Sequence, residues 1–98
     1  MRWAPINKQL AVPGQPELLL QLDETTVPTV TIISVITDLD VYLRFAVDLP
    51  TVMDASNSLL LKAGESYGES AIMISGSIFF ANVNAGEQPC VRGIVWGR

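Results

Sequence analysis

The chain has 98 residues, of which 49% are apolar and 16% charged, and its net charge is −4. That length fits one compact domain, and an acidic balance without a basic cluster argues against nucleic acid as a direct ligand, because phosphate backbones repel it. The longest apolar runs, such as Leu18–Leu20, Ala71–Ile74 and Ile78–Ala81, fall far short of the roughly twenty residues a membrane helix needs.

Mean hydropathy is nevertheless positive. A domain this small buries only about two-thirds of the surface its unfolded chain exposes, so apolar surplus should reach the outside unless another protein covers it. The expectation is a subunit whose partner surfaces belong to its folded state.

Residues 1–16 read as an extended N-terminal arm ahead of a domain spanning 17–98. Pro5, Pro13 and Pro16 oppose helix and the interior of a sheet, and Gly14 adds a turn. The early arginine is followed by no apolar h-region, so the start does not read as a secretory signal. Trp3 and Ile6 are large apolar residues on this arm, which either folds back on its own domain or drapes over a neighbouring subunit.

From Glu17 the pattern has period two. In ELLLQLD, Leu18, Leu20 and Leu22 share a face, and Asp23–Thr26 turns the chain. VPTVTIISVIT is dense in β-branched residues. Val30, Ile32 and Ile36 form one face and Ile33 and Val35 the other, so both are partly apolar. In VYLRFAVD, Val41, Leu43, Phe45 and Val47 point in, whereas Tyr42, Arg44 and Asp48 point out. TVMDASN is a loop or short irregular strand, and SLLLKAGES a strand with a turn at Gly64. YGESAIMIS and GSIFFANV are two strands hinged at Ser75-Gly76, and Asn84–Glu87 loops into a last strand, PCVRGIVWGR. Seven or eight short strands without helical spacing predict an all-β fold, a single β-sandwich of jelly-roll or immunoglobulin-like topology.

No reaction chemistry stands out. With no histidine and one cysteine, histidine-based acid–base catalysis, the common triads and zinc sites lack their parts. Cys90, among apolar residues, is expected to be a buried inert thiol. KAGES lacks the spacing and helix of a phosphate loop. Asp38, Asp40, Asp48 and Asp54 lie at successive strand ends, where oxygen-rich loops can hold calcium, although turn aspartates commonly serve local backbone donors. The expectation is no catalytic residue, no metal and no cofactor. The surplus apolar residues Trp3, Ile6, Ile33, Val35, Phe80 (or its neighbour Phe79) and Trp96 are the interface candidates.

The stretch LLLKAGESYGES, followed by SIFFANVNAGEQPCVRGIVWGR, resembles the small all-β virion proteins of tailed bacteriophages. These carry a strand, an Ala-Gly turn, a further strand pair and a final strand. The resemblance spans Ser58 to Arg98 and implies a non-enzymatic capsid decoration (cement) protein. Such a protein is made in the host cytoplasm and displayed on the virion surface. It is commonly a homotrimer and bridges copies of the major capsid protein. Head-fibre, tail and connector components are the related alternatives. From a different class, a carbohydrate- or calcium-binding sandwich module also fits the strand pattern.

Overall fold

The computed structural model describes residues 2–22, 30–73 and 76–97. The turn expected at Asp23–Thr26 lies outside them, as does Ser75 of the expected hinge.

Eight strands occur among the described residues: β1 (Arg2–Gln9), β2 (Glu17–Leu22), β3 (Val30–Thr37), β4 (Val41–Ala46), β5 (Leu59–Leu61), β6 (Ser66–Met73), β7 (Gly76–Asn82) and β8 (Cys90–Gly97). They form two four-stranded antiparallel sheets packed as a sandwich, one ordered β1-β8-β3-β6 and the other β2-β7-β4-β5. The first half of the chain pairs with the second in reverse. β1 lies against β8, β2 against β7, β3 against β6 and β4 against β5. The chain is thus one long two-stranded ribbon, with the 47–58 loop at its tip, rolled so that β3 also meets β8 and β4 also meets β7.

The core lies between the sheets. The first contributes Ile6, Ile33, Val35, Val91 and Val95, and the second Val41, Leu43, Leu61, Ile78 and Phe80. Alternation along each strand explains this, because successive side chains leave opposite faces. Three glycine turns close the ends. In Val12–Gln15, Lys62–Glu65 and Asn84–Glu87 the fourth residue's N–H donates to the first residue's carbonyl, at 3.3, 2.9 and 3.3 Å. The third residue of each is a glycine with φ of 84°, 79° and 79°, as a type II turn requires.

Several expectations need correction. The boundary at residue 16 falls within one sandwich. Among the described residues 2–16, β1 pairs with β8 along its whole length, so of the two readings of the arm it is the fold-back onto its own domain that is seen. Leu10 is buried, and its N–H donates to the Pro89 carbonyl at 2.9 Å. Pro5 is tolerated because β1 is an edge strand. In β2 the alternation breaks at a bulge between Leu18 and Leu20. The extra residue turns Leu19 into the core, whereas Leu18 is exposed. Val47 is 74% exposed because β4 ends at Ala46.

Candidate interaction surfaces

Four of the six interface candidates are interior. Ile6, Ile33, Val35 and Phe80 are at most 3% exposed, so they hold the two sheets together and offer nothing to a partner. β3 is apolar on both faces, and the face that meets the opposite sheet carries Ile33 and Val35. Ser34 and Ile36 face outward and are exposed. Trp96 is half-buried on β8, and the register sets Trp3 opposite it; the Trp3 side chain lies outside the described set.

Phe79 and Phe80 separate as adjacent strand residues must. Phe80 enters the main core, and Phe79 joins a second small cluster with Ala81 and Met53, against which Tyr42 and Ala46 pack. The ribbon-tip loop therefore covers part of the outer face of the second sheet with its own methionine. Its other apolar residues stay outside. Val47 is 74% exposed and Leu49 and Val52 are each 60% exposed. Leu59 and Leu60 of β5 continue the trend at 46% and 40%. These five, on the single stretch 47–60, were missed in the sequence because the leucines read as ordinary strand, Val47 as a core-facing strand residue and Val52 as part of a loop or short irregular strand. The available signal was Val47, Leu49 and Val52 interspersed with Asp48, Pro50 and Asp54, a composition that cannot form a strand with a core face.

The loop is ordered by its own polar residues. The Asp54 carboxylate accepts the Ser56 hydroxyl at 2.5 Å and the Ser56 N–H at 2.9 Å. The Asn57 amide donates to the Val52 carbonyl at 3.0 Å. The Ser56 hydroxyl first, then the Ser56 backbone, hold the Asp54 carboxyl below its ordinary range, with Arg44 adding a smaller coulombic effect. A depressed folded value means the carboxylate's contribution is present above the unfolded value and is lost as pH falls through the folded one. An NMR titration should place the Asp54 midpoint below that of a free aspartate, and Ser56→Ala should raise it. An unshifted midpoint would remove this account of the loop.

The other acidic residues have separate local tasks. Asp38 accepts the Cys90 N–H at 2.7 Å and Asp40 the Ala63 N–H at 2.8 Å, while Asp48 is exposed in the loop. Among the described residues no three His, Cys, Asp or Glu side chains gather as metal ligands would. In the KAGES turn, Glu65 accepts the Lys62 N–H at 2.9 Å. A carboxylate therefore occupies the donor a phosphate would need. In the Asn84–Glu87 turn the carboxylate of Glu87 instead accepts the side-chain amide of Asn84 at 3.0 Å.

The outer face of the first sheet carries a shallow groove lined by Ser34, Ile36, Ser66, Arg92 and Ile94. Ser34 opposite Gly68 keeps its floor low. Beside it Cys90 is half-exposed, against the expectation of burial, and its thiol donates to Asn7 Oδ1 at 3.7 Å. It sits on the outward face because its neighbour Val91 takes the inward one. The aromatic side chains that are described are all half-buried or buried, with Phe45 and Tyr67 tilted together at a centroid distance of 6.5 Å. None of them forms an open stacking platform for a sugar.

Polar groups in the interior are few. Thr37 is buried and its hydroxyl donates to the Leu39 carbonyl at 2.6 Å. No buried side-chain polar atom among the described residues lacks a partner. What this geometry offers chemically is contact surface, in the form of an apolar ribbon tip and a mixed sheet face. Set against known protein families, curated proteins and solved structures, the chain matches none at a significant level.

Proposed function

We propose that this protein is a structural assembly subunit that holds neighbouring proteins together through its surface, and specifically a capsid decoration protein of a bacteriophage virion. The observation that carries the assembly reading is the concentration of exposed apolar side chains on residues 47–60. Lone exposed apolar residues are ordinary, but a run of this kind marks a contact site. Burial of such surface is worth about 25 cal/mol per Å², offset by the entropic cost of association. The virion assignment draws on the resemblance of residues 58–98. We also infer a jelly roll. A ribbon folded into the facing orders β1-β8-β3-β6 and β2-β7-β4-β5 supports that topology over an immunoglobulin-like one, and jelly rolls are common in viral capsids.

The test is the composition of particles. Quantitative mass spectrometry of virions purified from the source of this chain should find it in fixed proportion to a major capsid protein. Leu49→Asp together with Val52→Asp, both at exposed positions, should leave a folded protein that no longer binds particles. Recovery of the chain in the particle-free fraction alone would overturn the reading.

A further inference from the structure

A two-sheet sandwich has four open edges, here β1 and β6 of one sheet and β2 and β5 of the other. Open edges invite pairing with other chains, and folded proteins blunt them with proline, charge, bulges or shortness. β1 carries Pro5 and Lys8, and Lys8 is ion-paired to Glu17 of β2 at 3.6 Å. β2 has in addition the bulge at Leu19. In β6 the register slips opposite Thr31–Ile33, and Glu69 lies in the strand. β5 has no proline, charge or bulge. It is Leu59-Leu60-Leu61, with Leu59 and Leu60 exposed and shortness as its one protection. β4 also runs on past it, since the ladder reaches only Leu43 while the strand continues to Ala46. The least guarded of these four edges thus adjoins the apolar tip loop.

We propose that a second copy of this chain docks on this edge, with β5 pairing antiparallel to its equivalent about a two-fold axis and the 47–58 loops packing alongside. The reading goes beyond bridging of other proteins, because it makes this surface self-complementary, and the part of Leu49 and Val52 in particle binding then runs through the dimer they help to form. Under an antiparallel two-fold, Leu60 meets its own equivalent and Leu59 meets Leu61, as an isologous contact demands. Residues 55–61 are uncharged, so the strand pairing itself brings no like charges together, and the carboxylates of the tip, Asp48 and Asp54, lie in the flanking loops. Area points the same way. The exposed parts of Val47, Leu49, Val52, Leu59 and Leu60 amount to on the order of 500 Å² per copy, and two copies reach about the 1,000 Å² at which a specific interface begins. The pairing joins two four-stranded sheets into one that continues across the dimer.

The inference rests on the assembly reading but is tested without particles. Sedimentation velocity of the purified protein from about 1 to 100 μM should show a monomer–dimer equilibrium. Leu60→Lys should raise the dissociation constant at least about tenfold without changing the circular dichroism spectrum. If Leu60→Lys unfolds the chain, Val47→Lys, at a more exposed loop position, supplies the comparison. A monomer at every concentration, a trimer, or a dimer indifferent to the lysines would overturn the pairing. A dimer that fails to bind particles would leave this inference standing and remove the virion reading instead.

Discussion

A chain without residues 1–10 is expected to be unfolded at 25 °C. The deletion removes β1 and with it the entire ladder from Arg2 opposite Gly97 to Gln9 opposite Cys90. It also removes Ile6 and Leu10, which are 3% and 1% exposed. Truncating one buried aliphatic side chain costs about 2–5 kcal/mol, and two such losses compete with a total stability of about 5–15 kcal/mol for a domain. β8 would become an edge strand, with Val91 and Val95 opened to water on that side. Far-ultraviolet circular dichroism and a thermal melt check this. A cooperative transition near that of the full chain would show that the segment is an appendage after all and would return it to the list of partner-binding elements.

The second large effect is expected at Gly93. It lies in the middle of β8, in register with Ile6 on one side and Val35 on the other. A Cβ built there would stand 2.1 Å from the Ser34 carbonyl oxygen, 2.7 Å from the Val35 Cα and 2.9 Å from Val35 Cγ1. Two of these are backbone atoms of a central strand, which no side-chain rotation can move aside. Gly93→Ala should therefore cost about 3 kcal/mol, at the upper end of ordinary overpacking. Gly68→Ala is the internal control. Its nearest neighbour, the Ile33 carbonyl oxygen, lies 3.9 Å from the added carbon, so the change should stay within about 0.5 kcal/mol in either direction. Chemical denaturation of the two variants beside the parent separates the cases, and equal midpoints would refute the close approach.

The strands were legible because most positions obey period two and the turns carry glycine at the site that needs positive φ. Val41 and Leu43 point into the core as the alternation requires. The failures are specific. The bulge between Leu18 and Leu20 leaves Leu18 outside and puts Leu19 in the core, while Leu20 still packs inward as the alternation requires, and bulges leave no reliable mark in composition. In β3 both faces are apolar, so the choice of Ile33 and Val35 as the inner pair was decided by the opposing sheet, which local pattern does not record. Prolines made β1 look unfit for a sheet, although an edge strand needs donors on one side only. The exposed apolar stretch 47–60 was the least legible feature. Its leucines read as ordinary strand residues, and only their position at a sheet edge beside the tip loop leaves them exposed.

The ribbon also determines when the molecule can close. β8 is the last of the eight strands to be synthesised, yet it lies between β1 and β3. Until residues 90–97 leave the ribosome, β1 has no neighbour and half of the first sheet is missing. The second sheet and the β3–β6 pair need no residue beyond Asn82 and can form before β8. Pairings of high sequence separation fold slowly, over milliseconds to seconds. The part of the chain that must wait for β8 is therefore β1, with Ile6 and Leu10.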